Sequence, residues 1–448
     1  MKKILALFCF VALTWLSACS PFSGNPDVSF QENNILMPKI RFSVGGGMQS
    51  WVEFWPDGKP GLNRATPPDS AQDQEVVIMN LTQETRYRFR LLALKHGTTD
   101  TLRSRVFDFM TGTIPEKVFS IRKDVVDTAA FSGYILLRRF YVSGADALVN
   151  NKGEIVWYHL YDTAIRRPIS YTSQGTFLSI YDSAVIRETN IYGKTLLDID
   201  MEKLGQPERF HHEVIYDKEG NILSLSVDSA KRDLRRFGGK KDQFLRADGI
   251  VKMNKQGKIL WKWSLLDDHD PNQFQDSVNI RDIWGHANAM VLDKDGNYLV
   301  SFRDFSQVWK IDATSGKVIW KLGKGGDFKM PKEAWFIRQH TISWTKDGDL
   351  IMFDNGERRV RPNSRVVVLR LDQEKKEASI VNLITLPLGY SSYRMGSAQK
   401  LNDSDFLVCV TRKNATLLIV DKDGNIEWKA VADHASYRAE LIVNPFRF

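Results

Sequence analysis

Residues Gly285 to Asp312 read GHANAMVLDKDGNYLVSFRDFSQVWKID: two apolar runs around an Asp-Gly turn, with an imidazole and an amide at the head of the first run. Turn residues between such runs signal an antiparallel strand pair. The layout returns at His211–Asp228 (HHEVIYDKEGNILSLSVD) and at Gln339–Gly356 (QHTISWTKDGDLIMFDNG). Outward from these three, the turn and its following strand occur six times, as FSGYILL, SQGTFLS, KEGNILS, KDGNYLV, KDGDLIM and NDSDFLV. A second element alternates with the first: a turn into a strand that often ends in Trp, as NKGEIVW, IYGKTLLD, NKQGKILW, TSGKVIW, a degenerate EKKEASIV, and KDGNIEW. Two alternating strand-pair types in repeats of about 40 residues or more are the pattern of β-propeller blades, each a four-stranded antiparallel sheet. The chain from 118 to 448 therefore reads as a six-bladed β-propeller, and the fold class is all-β.

In a propeller the innermost strands run along the axis, so equivalent positions in different blades form a ring. His212 and His340 each lie eight residues before a turn glycine, Gly220 and Gly348, and His286 lies ten before Gly296. Even offsets predict one common face for the three. Asn288, two residues after His286, is expected on that face, and Arg303 on the next strand. This set suits a compact oxyanion: a guanidinium fork for trigonal oxygens, and imidazoles that serve as covalent acceptor or as acid and base near neutral pH. Sulfuryl and phosphoryl transfer both pass through loose, anionic transition states in which positioning and positive charge dominate.

Plainer readings stand beside these. Arg303 could pair with Asp304 or Asp354, Asn288 could bond backbone at a strand end, and the FDNG at Phe353–Gly356 reads as a turn. Trp157, Trp261, Trp320 and Trp428 read as packing between blades, and the basic run Lys231–Lys241 as a solvated loop. His269 sits among aspartates but lacks the repeat register. His434 could approach the ring only if the closing segment crosses the channel mouth.

Residues 27–113 carry about seven short strand-like runs and read as a β-sandwich. NLTQETRYRFRLLAL followed by FDFMTG resembles the later strands of a fibronectin type III domain, with Tyr87 at that family's corner tyrosine. The first 18 residues have the layout of an export signal. Leu16, Ser17 and Ala18 before Cys19 resemble a lipoprotein signal, which implies cleavage and acylation at Cys19; a plain signal peptide cut elsewhere is the alternative. Residues 19–26 then read as a tether, and Ser20 favours the outer membrane, facing the periplasm. Loss of the signal takes Cys9 and two lysines, so the formal charge of +8 falls to about +6. No basic stripe with interleaved aromatics suggests nucleic acid. Cys409, inside FLVCV, reads as a buried small hydrophobe, and no internal disulfide remains.

HANAMVLDKDGNYLVSFRDFSQVWKIDATSGKVIWKLG followed by RQHTISWTKDGDLIMFDNG resembles the bacterial arylsulfate sulfotransferase family. GSAQKL and SYRA near the end are also similar to it. The resemblance implies a six-bladed propeller behind an N-terminal β-sandwich, and transfer of a sulfuryl group from an aryl sulfate donor to a phenolic acceptor through a sulfohistidine. It implies no cofactor and no nucleotide sulfate donor. By motif, His340 would be the nucleophile, and His212, His286, Asn288 and Arg303 would bind sulfate and assist proton transfer. Two other classes stay open on the residues: a non-catalytic lipoprotein using its propeller as a binding platform, and a divalent metal held by three imidazoles.

Overall fold

The structure is a computed structural model, and it describes residues 20–32, 34–125, 127–140, 143–164, 169–273, 282–387 and 389–446. The signal segment and Cys19, with its expected acylation, lie outside the described residues. The chain divides into two compact units, one through Gly112 and one from Thr113.

The first unit is a β-sandwich. One sheet holds three strands, Phe22–Gln31, Asn34–Val44 and Asp73–Val77; the other is built on Met48–Pro56 and Arg86–Lys95. Between them pack Ile40, Val52, Phe54, Ile78, Leu81, Phe89 and Leu91, all wholly or almost wholly buried. Buried Tyr87 turns its hydroxyl back on the preceding loop, where it accepts a hydrogen bond from the Thr82 amide at 3.0 Å, and its ring stacks on Phe109. The tether read over 19–26 is shorter than expected, because the first strand already pairs with the second at Phe22, opposite Val44. Small and polar residues there disguise a strand whose outer face is solvated.

Among its described residues the second unit contains six antiparallel sheets, five of four strands and one of five. The inner strands of blades two to six are Ile169–Tyr171, Phe210–Tyr216, Ala287–Leu292, His340–Trp344 and Ser397–Lys400. Blade one takes its inner strand from the end of the chain, Ala439–Ile442, which pairs with Tyr134–Arg138. The start of the unit returns the exchange, because Ile121–Val125 adds a fifth strand to the outside of blade six. Two clasps of this kind tie the ends of an otherwise open ring.

The repeated turns have one chemistry. In the outer hairpins an Asx side chain accepts from amides two and four residues on, as Asn254 does from Gln256 and Lys258, and the glycine between them, Gly257, has a φ of 78°. Only glycine occupies that left-handed geometry without cost. The outer-strand tryptophans act between blades as expected. The indole N–H of Trp157 donates to Ile191 O, that of Trp261 to Thr314 O, that of Trp320 to Gln373 Oε1 and that of Trp428 to Asn151 O. Each acceptor lies in the outer turn of the following blade. The rings of Trp157, Trp320 and Trp428 are buried, while Trp261 is partly exposed.

Candidate active site

Three inner strands share a deformation at their upper ends. Register with the neighbouring strand slips between Phe210 and Val214, between Ala287 and Ala289, and between His340 and Ser343. Non-glycine residues in or just before these slips are left-handed: His212 (φ 56°) and Thr341 (φ 50°) within them, and His286 (φ 50°) immediately before its own. Such backbone costs about 1–3 kcal/mol per residue and persists only where surrounding structure enforces it. Gly285 contributes to the enforcement, since a β-carbon there would stand 2.6 Å from Asp248 Oδ2. The even-offset argument therefore fails as geometry, because a bulge breaks strict alternation.

The histidines converge nonetheless. The rings of His212 and His286 are 5.4 Å apart, centroid to centroid. Tyr437 stands between blades, 5.5 Å from the His212 ring and 6.2 Å from the His340 ring. Its hydroxyl donates to Asn288 O at 3.3 Å. Arg303 is set opposite His286 by a backbone bond from its own N–H to His286 O, 3.1 Å.

His340 is buried, and its surroundings define its tautomer. Its Nδ1 faces two acceptors, Asn355 Oδ1 at 2.6 Å and Arg338 O at 3.1 Å. The Asn355 oxygen is the atom on that side because Asn355 Nδ2 donates to Ser392 O and Met395 O, both at 2.8 Å. Nδ1 must then carry the hydrogen, which leaves the lone pair on Nε2. Burial, opposed by the Asn355 bond and reinforced by the charge of Arg303 and by His286, drives the His340 pKa down to about 3. The imidazole is neutral across the physiological range.

His212 is oriented by a second imidazole. Its Nδ1 lies 2.8 Å from His211 Nδ1, and His211 Nε2 meets the Ser226 carbonyl at 2.9 Å. The carbonyl accepts, so neutral His211 carries its hydrogen on Nε2, and His212 donates from Nδ1. Behind His211 lies Asp248, whose Oδ1 is 3.4 Å from His211 Nε2 and whose Oδ2 accepts from the Ala287 amide at 2.8 Å. Complete burial pushes the Asp248 carboxyl well above the usual range. Asp282 Oδ2 stands 3.3 Å from His286 Nδ1, and its Oδ1 accepts from the Ile283 amide at 2.8 Å. The His286 imidazole holds the Asp282 carboxyl down at about 2, against partial burial.

Arg303 Nη1 donates to Asp304 Oδ1 at 2.7 Å. Its Nε is buried with no partner among the described residues, and burial lowers the guanidinium pKa. Asp354, the other pairing considered for it, is taken by Arg361 and Arg365. Asn288 follows the plainer of its two readings, a bond to backbone near a strand end. It is wholly buried, and its Nδ2 donates to Gln339 O at 2.7 Å, across to the next blade. The bond ties it to the residue before His340, and its Oδ1 is buried with no partner among the described residues. Gln339 completes this clasp, its Nε2 donating to Ser301 Oγ, Phe302 O and Gln307 O.

Among the described residues no cluster of three or more His, Cys, Asp or Glu side chains is arranged to hold a metal ion. His269 instead packs on Trp309, ring centroids 5.0 Å apart. His434 pairs with Asp433 and with Arg139, and the closing segment sends Tyr437 rather than His434 to the ring. Tyr437, Asn355, His211, Asp248 and Asp282 were not singled out in the sequence. The FDNG turn concealed Asn355, and the doubled imidazole of HHEV was the available signal for His211.

The family model described as Arylsulfotransferase (ASST) matches residues 132–417. No curated protein matches in sequence. Among solved structures, a protein of unknown function from Bacteroides caccae is 16% identical with a TM-score of 0.46, over 69% of this chain and 98% of that one. Virginiamycin B lyase from Staphylococcus aureus, in a catalytically inactive form with quinupristin, is 8% identical (TM-score 0.34; 70% and 99% covered). BamB from Moraxella catarrhalis is 12% identical (TM-score 0.35; 72% and 94% covered).

Proposed function

The chain belongs to the arylsulfotransferase family, and from that premise we propose that it moves a sulfuryl group from an aryl sulfate to a phenol through a covalent adduct on His340. The observation that carries the reading is the neutral His340 imidazole, with Nδ1–H committed to Asn355 and Nε2 left as the nucleophilic atom. Nε2 attacks sulfur, an N–S bond forms, and the S–O bond to the aryl group breaks with its electron pair leaving on the phenolate. His286 or His212, entering this step as the imidazolium, gives the phenolate a proton and is left neutral. In the second half the same imidazole takes the proton of the incoming phenol, whose oxygen displaces Nε2 from sulfur. Arg303 faces the sulfuryl oxygens with its unpartnered Nε–H, where a fixed cation stabilises spreading negative charge. Asn288 acts on this site from behind, by fixing the Gln339 carbonyl next to His340.

Export and acylation at Cys19 belong to the same proposal and place the enzyme on the outer membrane, facing the periplasm. Radiolabelled palmitate incorporated by the wild type and not by Cys19→Ala is the expected result; equal labelling of the two would contradict it. The activity itself is tested by release of 4-nitrophenol from its sulfate ester, dependent on an added phenol. His340→Asn is expected to lower turnover at least about a thousandfold. Equal turnover in the two proteins would remove the assigned nucleophile.

A further inference from the structure

Beside Arg303 opens a cavity of about 800 Å³ whose other lining residues include Arg358, Arg394, Arg412, Lys413 and Tyr393. Among the described residues, no acidic side chain lines it. Its size is that of a site for a whole organic ligand rather than a lone sulfate. Arg303 is common to this cavity and to the histidine cluster, where its amide bonds His286 O, so a molecule with its sulfate on Arg303 has this space within reach.

The charge of the cavity exceeds what one sulfate ester needs. A monoester of sulfuric acid carries a single negative charge, and Arg303, already half matched by Asp304, is enough to receive it. Arg358, Arg412 and Lys413 form no ion pair among the described residues. Arg412 is held in place by its Nε–H, which donates to Ser391 O at 2.6 Å, so its remaining N–H groups are presented from a fixed stem. The Arg358 guanidinium lies over the Tyr393 ring at 4.7 Å, which fixes a second cation along the wall. The like charges of Arg358, Arg412 and Lys413 repel one another, and a concave wall focuses their field on whatever anion enters. The sequence gives no sign of this set: its members come from two different blades and a connecting loop.

We infer that the substrate is a dianion, an aryl group bearing a second oxyanion besides the transferred sulfate, and that the cavity beside Arg303 binds this second group. The inference rests on the sulfotransfer reading for its account of the first sulfate. A carboxylate and a second sulfate would satisfy the same cations, and the probes distinguish them.

The test is calorimetric binding to the full chain of benzenesulfonate, benzene-1,3-disulfonate and 3-sulfobenzoate, none of which can donate a sulfuryl group from oxygen. At least one dianion is expected to bind about tenfold or more tightly than the monoanion, with charge-assisted bonds as the source. Lys413→Gln and Arg358→Gln change exposed side chains, and each is expected to reduce that advantage severalfold. Equal binding of all three probes, or an advantage unchanged in both variants, would overturn the inference. Turnover of 4-nitrophenyl sulfate is read separately. The same ester bearing a ring carboxylate is assayed beside it: turnover of either ester without dianion preference sinks the cavity proposal alone, whereas dianion preference with turnover of neither sinks the sulfotransfer reading and leaves the cavity as an anion site only.

Discussion

Which nitrogen of His340 holds the hydrogen decides whether Nε2 is free to attack. Asn355 decides this, since its own amide hydrogens are spent on Ser392 O and Met395 O and its oxygen can only accept. Asn355→Ala is expected to slow formation of the covalent adduct by about 10- to 100-fold, the usual effect of removing an orienting partner. The drop should appear in the rate of the phenol burst with little change in KM; an unchanged burst rate would contradict it. Acidification offers a second check. An ordinary histidine loses its nucleophilic form below about pH 6.5, but His340 titrates at about 3. The burst, read after quenching into alkali, should therefore survive at pH 5; loss of the burst near pH 6.5 would show a nucleophile that protonates normally. Folding stability responds in the same window. The folded pKa lies below the unfolded one, so the unfolded chain takes up the proton first and His340 costs stability progressively as pH falls from about 6.5 towards 3. Burial acts similarly on Cys409, whose thiol is pushed up to about 12. In a chain beginning after Cys19, thiol reagents should react only once denaturant is added.

Strands and turns carry a different lesson. The six turn-and-strand copies were legible because Asx-Gly turn chemistry and alternation are local, written within a few residues of each other. The bulges were not legible. Nothing in HHEV, HANA or QHTI announces a left-handed residue at His212, His286 or Thr341, and the close packing of Gly285 on Asp248 of the preceding blade, next to His286, is a contact between residues far apart in the chain. Even spacing from the turn glycine thus brought the three histidines together through an incorrect geometry, and of the two readings of Asn288 the bond to backbone is the one observed. The tryptophans were legible for a simple reason, because a large ring repeated at outer-strand ends has little to do except pack. Trp428→Ala, at a fully buried site, is expected to destabilise the unit by about 3–5 kcal/mol. Trp261→Ala, at a partly exposed one, should cost about 1 kcal/mol, mostly its hydrogen bond to Thr314 O. Urea unfolding compares the two, and equal losses would contradict the packing argument.

For the second unit as a whole, closure and chemistry meet in the last residues of the chain. Tyr437 reaches the histidine ring, and Arg438 holds Glu213 of blade three through Nη1 and Nη2 at 2.7 and 2.8 Å. The following strand, Ala439–Ile442, completes blade one. Truncation after Asp433 is expected to abolish both activity and cooperative unfolding, whereas a loss of activity with unfolding unchanged would separate the clasp from stability. Six blades were countable in the sequence, but this double exchange of strands was not, since it depends on pairing between residues more than three hundred positions apart. Convergence of three blades on one neutral imidazole is what the proposed function rests on. Its most direct test is mass analysis of peptides after exposure to an aryl sulfate with no acceptor present. One added sulfuryl group on the peptide containing His340, discharged by a phenol, is the predicted result; steady turnover with no adduct there, or an adduct on His212 or His286 instead, would contradict it.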